Sequence, residues 1–159
     1  MTNQPNNPYN TAVHPNPVPI LRVSGSHREI GRQIGEAARP QVQHSIENAR
    51  KLLADAYEQI ELTWEGAMIQ ARKYLPFAQE RFPQYVDEML GIAEGGNVTF
   101  EDVVVLNAME AVTTDALHLT RCTSMAVNEE YTADGHILAA HNEDLVPEDE
   151  DDVYVVYAR

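Results

Sequence analysis

The spacing of apolar residues changes once along this chain of 159 residues, at Arg121. Before that point, apolar residues recur every three or four positions, which is the spacing of one face of an α-helix. After it come short runs rich in valine, threonine and tyrosine, separated by turn residues, which is typical of β-strands. The pattern therefore predicts a mainly helical region over residues 18–121 and strands over residues 122–159.

Helix start signals divide the first region. Ser26 with Glu29, and Thr99 with Asp102, have the spacing of a capping box, in which two residues three apart satisfy each other's backbone N–H groups. Thr63 is a further candidate N-cap. These signals predict helices that begin directly after Ser26, Thr63 and Thr99.

Prolines predict where the helices stop. Pro40 is expected to break the first helical run near Arg39, because proline removes a backbone donor and restricts the preceding residue. Pro76 is expected to interrupt the second helix, and Pro83 to close it before a third helix that begins at Gln84.

Two pairs of glycines lie within these predicted helices. Gly31 and Gly35 fall on one helical face, and each costs a helix about 1 kcal/mol relative to alanine. Either another segment packs closely on this stripe, or the helix is an ordinary amphipathic one. The pair Gly95-Gly96 is expected to end the third helix as a C-cap.

Strand signals occur at both ends of the chain. Residues 19–23 predict a short first strand, and residues 153–157 predict a last one. Residues 122–128 and 136–141 predict a hairpin, because Asp134-Gly135 between them is a strong turn signal.

Two segments are expected to be loops. The first covers residues 113–115 and 117–121, directly before Cys122, and would present that residue at the start of a strand. The second is the acidic run of residues 148–152, expected to be solvated.

Composition excludes several classes of function. The net charge of −14, from 25 acidic and 11 basic residues, argues against binding to nucleic acid or to an anionic membrane surface. Residues 1–17 lack the apolar stretch of a signal peptide and are rich in asparagine and proline, so they are expected to form a flexible leader. The single cysteine is consistent with a reducing, cytoplasmic location.

The last predicted strand is apolar on both faces and ends close to Arg159. Such a strand requires cover on both faces and a neighbour at each edge. We therefore expect the sequence to be a fragment of a longer precursor. The alternative is a complete domain with a frayed last strand.

Several ordered motifs resemble one enzyme family. They are Arg121-Cys-Thr-Ser-Met-Ala-Val127, Thr132-Ala-Asp-Gly135, Asn142-Glu-Asp144, Gly25-Ser-His-Arg-Glu-Ile-Gly31 followed by Gly35, Glu88-Met-Leu-Gly-Ile-Ala-Glu94 and Leu106-Asn-Ala-Met-Glu110. Together they span roughly residues 19–157 and resemble the cysteine N-terminal-nucleophile (Ntn) acyltransferases typified by acyl-coenzyme A:6-aminopenicillanate acyltransferase. Penicillin V acylase and bile salt hydrolase are more distantly similar.

The resemblance implies an α+β fold, namely the N-terminal part of a four-layer αββα Ntn-hydrolase sandwich. It also implies that the precursor cleaves itself between Arg121 and Cys122, so that Cys122 becomes both chain terminus and nucleophile. The new α-amino group, with a reference pKa of about 7.7–8.0, then serves as base for its own thiol. By the same resemblance Asp144 orients the nucleophile, while Asn142 and Thr123 support the site.

The implied partners follow from that chemistry. The substrate would be a small-molecule amide or acyl compound, and the missing C-terminal part of the precursor would complete the protein. No cofactor is implied, although a coenzyme A thioester could serve as acyl donor. The family's oxyanion-hole residues lie downstream, and because one such donor contributes about 10²–10³ in rate, this segment alone should have little activity. Arg121 also stands where the penicillin-related acyltransferase has a glycine before its nucleophile.

Two other interpretations remain. A metal site could be assembled from His136, His141, Glu143, Asp144 and the acidic run, but their spacing matches no metal-ligand motif. The acidic run also lacks the glycine and spacing of an EF-hand loop. Alternatively, the chain could be a non-catalytic helical interaction module, which would leave the pattern around Cys122 unexplained.

Overall fold

The computed structural model describes residues 18–117, 122–143 and 147–159. This part of the chain is mixed α+β, as the sequence predicts. Its helices are α1 (His27–Ala37), α2 (Arg39–Asp55), α3 (Tyr57–Ile60), α4 (Trp64–Ala71), α5 (Leu75–Arg81), α6 (Pro83–Gly96) and α7 (Phe100–Leu117), and its strands are β1 (Ile20–Val23), β2 (Cys122–Val127), β3 (Leu138–Glu143) and β4 (Val155–Ala158). The predicted leader, residues 1–17, lies outside the described residues.

The predicted helix starts are confirmed. At α1, the Ser26 hydroxyl accepts a hydrogen bond from the Glu29 backbone N–H at 3.3 Å, and the Glu29 carboxylate accepts one from the Ser26 N–H at 2.8 Å. The Thr63 hydroxyl accepts from Gly66 N at 3.1 Å at the start of α4. Each motif closes within four residues, which is why the sequence alone reveals it.

Prolines begin helices here more often than they end them. The break near Arg39 is confirmed, since α1 ends at Ala37 and Pro40 lies in the first turn of α2. Pro76 and Pro83 likewise lie in the first turns of α5 and α6. Proline is tolerated there because the first N–H groups of a helix have no intrahelical partner. The expected second helix is thus two helices, α4 and α5.

Helices α1 and α6 pack through glycines from both sides. A methyl group on Gly31 would lie 2.8 Å from the Glu88 carbonyl carbon, and one on Gly95 would lie 2.6 Å from the Glu36 nitrogen. Contacts this short leave no room for a Cβ atom. The glycine stripe therefore serves close packing rather than an ordinary amphipathic face, and α6 is the segment packed on it.

The third helix ends at Gly96, where the sequence predicts, but the two glycines do not form its C-cap. Both glycines lie inside α6, and the helix stops at Asn97, which adopts a left-handed conformation with φ 55°. Gly95 is needed instead where α6 meets the backbone of α1. Asparagine is one of the few other residues that takes the left-handed cap readily.

The assignment of residues 113–115 to a loop is wrong, because α7 continues to Leu117. Thr113 is buried, and its hydroxyl donates to the Met109 carbonyl at 2.8 Å, which satisfies a polar group that would otherwise favour a turn. Upstream, α7 packs on α2 and α4 around a core that includes Leu53, Ala67, Ala71, Val104 and Val105. Residues 118–121 lie outside the described part.

The four strands of the described region form two separate sheets. Strands β2 and β3 pair antiparallel as the expected hairpin, whereas β4 pairs in parallel with β1. The last strand, β4, therefore pairs with the first strand, β1, and does not extend the hairpin sheet. The layers of an αββα sandwich are not seen in these two-stranded sheets.

The acidic run is mostly exposed, as the sequence suggests, but it forms a 3₁₀ helix, Pro147–Asp152, held against α2, rather than a loop. The Asp152 carboxylate contacts His44 Nδ1 at 2.9 Å and accepts from the Ser45 hydroxyl at 3.0 Å. Asn48 donates to the Glu148 carbonyl at 3.0 Å. The hydrogen bond and negative charge of Asp152 raise the pKa of His44 above its ordinary value.

Candidate functional site

The β2–β3 hairpin carries the predicted nucleophile at its open end. Cys122 is the first residue of β2, it is exposed, and its register partner in β3 is Glu143. At the closed end, Gly135 adopts φ 70°, and the Asp134 carboxylate accepts from His136 N at 3.2 Å. The predicted turn at Asp134-Gly135 thus lies within the loop that joins the two strands.

Ser124 and His141 lie on the same face of the hairpin as Cys122. Side chains alternate between faces along a strand, so Cys122 and Ser124 share one face. His141 is directly opposite Ser124 in the register, and its Nδ1 lies 2.8 Å from the Ser124 hydroxyl oxygen. The Cys122 thiol therefore has the Ser124 hydroxyl as a neighbour along its own strand and the His141 imidazole as a neighbour on the adjacent strand.

Sequence reasoning did not assign His141 to the thiol. Its only proposed role was as one ligand in the metal alternative. Counting residues outward from the Asp134-Gly135 turn could have paired His141 with Ser124, but only once the loop between the strands is known to be ten residues, 128–137. That length depends on a short 3₁₀ helix, Glu129–Tyr131, which the hydrophobic pattern does not reveal.

The two predicted supporting residues form a cross-strand pair of their own. Thr123 is directly opposite Asn142. By strand alternation both face the side of the hairpin away from the Cys122 side chain. Their predicted role in supporting Cys122 would therefore act through the backbone of the adjoining residues, and it stays a prediction.

Arg121 and Asp144 lie outside the described residues. The positions of Arg121, on the first side of the predicted cleavage site, and of Asp144, the predicted orienting carboxylate, therefore stay untested. Both stay predictions from the sequence resemblance.

Within the described residues, no group of three or more His, Cys, Asp or Glu side chains converges as a metal site would. His136, one member of the metal alternative, is 77% exposed and lies 3.4 Å from the Asp134 carboxylate in the hairpin turn. The acidic partner of His136 is thus Asp134, two residues away in the same turn.

A second polar cluster, missed by sequence reasoning, surrounds Asp102 at the start of α7. The carboxylate accepts from Thr99 Oγ1 at 2.7 Å, Arg50 Nη2 at 2.9 Å and Trp64 Nε1 at 3.1 Å. Burial would raise the pKa of Asp102, but the hydrogen bonds from Thr99, Arg50 and Trp64 outweigh it and hold the pKa below its usual value. The cluster joins α2, α4 and α7 beside an open groove of about 520 Å³.

The Asp102 cluster has the features of a structural clamp. Arg50 also stacks over the Trp64 ring, with its guanidinium carbon 4.9 Å from the ring centroid. The donors around the carboxylate come from the protein itself, and they satisfy it. The hairpin is therefore the better candidate for chemistry.

Comparison with known proteins relates the chain as a whole to a hydrolase. No family model matches the chain. A curated relative, the beta-alanyl-dopamine/carcinine hydrolase of Drosophila melanogaster, is 27% identical over 148 residues. The match covers 89% of this chain and 37% of the relative, so the chain spans well under half of that protein's length.

The chain is thus distantly homologous to an amide hydrolase. A match that covers 89% of the chain spans the position of Cys122, which lies far from either end. In the described part of the chain, none of the helices is both long and apolar enough to cross a membrane.

Proposed function

We propose that this chain is the N-terminal part of a self-processing cysteine amidohydrolase or acyltransferase of the Ntn class, with Cys122 as nucleophile. The observation that carries the proposal is the similarity to an amide hydrolase over a stretch that includes Cys122. The exposed position of Cys122 at the start of a strand supports it, because a nucleophile there is open to substrate.

Cleavage of the Arg121–Cys122 bond would create the catalytic group. The Cys122 thiolate attacks the Arg121 carbonyl carbon, the C–N bond breaks, and water hydrolyses the resulting thioester. The released α-amino group then takes the thiol proton during turnover. A substrate amide is attacked in the same way, forming an acyl-Cys122 thioester and releasing an amine.

In this proposal Asp144 orients the new terminus, while Thr123 and Asn142 hold the adjoining backbone of the hairpin. Helices α1–α7 form the mainly helical N-terminal region, and β2 and β3 are the first strands of an αββα sandwich. The rest of a longer protein would supply oxyanion donors, which is consistent with the 37% share of the relative that the chain spans.

The relative suggests the first substrates to test. Its name identifies it as a hydrolase of beta-alanyl-dopamine and carcinine, so β-alanyl amides of small amines are the starting candidates. Water as acceptor would make the enzyme a hydrolase. A second amine, or a coenzyme A thioester as acyl donor, would make it a transferase.

Intact-mass analysis of the full-length protein tests the proposal. We expect two chains, the second beginning at Cys122, whereas Cys122→Ala should remain one chain. Cys122→Ser is the matched variant, because it keeps a nucleophile of similar size and should cleave more slowly. A wild-type protein that stays a single chain, with Cys122 inert to thiol reagents, would contradict the proposal and favour a non-catalytic interaction module.

A further inference from the structure

Self-cleavage poses a chemical problem that turnover does not. While the Arg121–Cys122 bond is intact, the nitrogen of residue 122 is an amide, and its lone pair is delocalised into the carbonyl. It therefore cannot accept the thiol proton. The α-amino base of the mature enzyme exists only after the bond is broken, so the first cleavage needs another proton acceptor.

In the intact hairpin, His141 is a candidate acceptor on the same face as the thiol. His141 pairs with Ser124, two residues along β2 from Cys122, and is therefore a diagonal cross-strand neighbour of Cys122 on the same face. Such neighbours have Cα atoms about 7–8 Å apart, within reach of long or aromatic side chains. Both Ser124 and His141 are exposed, so no packed layer separates them from the thiol.

The Ser124 contact can orient the ring for this role. The distance of 2.8 Å between the Ser124 hydroxyl and His141 Nδ1 is that of a good hydrogen bond. When Nδ1 donates to the hydroxyl oxygen, Nε2 carries the lone pair and can accept a proton. A partner at one ring nitrogen sets the function of the other.

We propose that His141 is the proton acceptor for self-cleavage, with Ser124 as its positioning residue. This inference rests on the proposed function. The Cys122 thiol proton moves to His141 Nε2, and the thiolate attacks the Arg121 carbonyl carbon. As the C–N bond breaks, His141 returns that proton to the departing nitrogen, which becomes the α-amino group, and a thioester links Arg121 to Cys122. Water then hydrolyses the thioester to a carboxylate and a thiol.

The test follows processing of the full-length protein from the moment of synthesis. Cell-free translation gives a starting time, and the fraction of two-chain product is measured by intact mass. A positioned general base contributes about 10²–10⁴ in rate, so His141→Ala should slow cleavage about 100-fold or more. Ser124→Ala should slow it less, because the ring keeps its lone pair and loses only its orientation.

His136→Ala is the matched control, since His136 lies in the turn of the same hairpin and is 77% exposed. It should cleave at the wild-type rate. Added imidazole should restore cleavage to His141→Ala in proportion to its concentration, which a purely structural role of His141 would not produce. Thermal unfolding followed by circular dichroism identifies any variant that has lost its fold.

The outcomes separate the two proposals. If the wild-type protein never cleaves and behaves like Cys122→Ala, the proposed function itself fails. If the wild type cleaves and His141→Ala keeps pace with it, His141 is not the acceptor although the proposed function stands. Slow cleavage by folded His141→Ala that imidazole does not relieve would likewise overturn the role of His141 as base.

Discussion

The α1–α6 helix pair and the Cys122 hairpin differ in how closely their residues are packed. In the helix pair, glycines face backbone on both sides so closely that a single added carbon has no space. In β2, by contrast, every residue from Cys122 to Ala126 is exposed. The first region is closely packed, whereas the second leaves its side chains exposed.

The largest effect on stability is expected for Gly95→Ala. Its new methyl group would lie 2.6 Å from the Glu36 nitrogen, and backbone cannot rotate away as a side chain can. Overpacking a rigid contact costs about 3 kcal/mol, measured as the free energy of unfolding in urea.

Gly135→Ala in the hairpin turn is the control for that substitution. Nothing lies within 4 Å of its added carbon, and its φ of 70° alone is unfavourable to alanine. The cost should be about 1 kcal/mol. Equal costs for the two substitutions would contradict the contrast between packed helices and open hairpin.

Removal of the Asp102 carboxylate is expected to have the next largest effect. Asp102→Ala leaves Trp64 Nε1 and the Thr99 cap without their acceptor, which should cost about 2 kcal/mol. Asp134→Ala, in the exposed hairpin turn, is the matched carboxylate control and should cost about 0.5 kcal/mol. Urea unfolding of both variants checks the difference.

The pH dependence of the Asp102 clamp has a defined sign. Because the folded-state pKa of Asp102 is lowered, its stabilisation is fully present above the unfolded pKa of about 3.9 and is lost as pH falls through the folded value. The Asp102→Ala penalty should therefore be constant near neutral pH and shrink in acid. A penalty that grew as pH fell would contradict this account.

A smaller effect is expected at the contact between the acidic 3₁₀ helix and α2. The pKa of His44 is raised by the hydrogen bond and charge of Asp152, with weaker contributions from Glu47 and Asp149. The resulting stabilisation is present below the ordinary histidine pKa of about 6.5 and is lost as pH rises through the folded value. An NMR titration of the His44 ring should give a lower pKa in Asp152→Asn than in the wild type, and an unchanged value would exclude Asp152 as the cause.

The smallest effect is expected on the open hairpin. Met125 is 59% exposed, so Met125→Thr should change the free energy of unfolding of this chain by about 0.5 kcal/mol or less. In a full-length protein with further strands and layers over the hairpin, the same substitution should cost more. Urea unfolding of both lengths would sharpen the comparison, and equal costs would argue against cover at this position.

The contrast also explains what could be predicted from sequence. The capping box at Ser26 and the turn at Asp134-Gly135 depend on residues within four positions, and both are as expected. The partner of the Gly31 stripe and the parallel pairing of β4 with β1 could not be identified, because spacing shows that a face is buried but not what covers it.

The residues of the candidate site also differ in whether the sequence alone could identify them. Cys122 was assigned by motif resemblance, which requires no geometry. The Ser124–His141 contact joins residues on different strands, so it depends on the register and on the loop length between them. Gly95 shows the same limit: the sequence indicates where α6 ends, but not that this glycine packs on the backbone of α1 while Asn97 caps the helix.

The most direct test of the central claim is N-terminal sequencing of the mature, catalytically active full-length protein, with β-alanyl amides as the first substrates. The account predicts two termini, one of which reads Cys-Thr-Ser-Met-Ala-Val from residue 122. An active enzyme that shows a single terminus, with residue 122 still within an unbroken backbone, would contradict it.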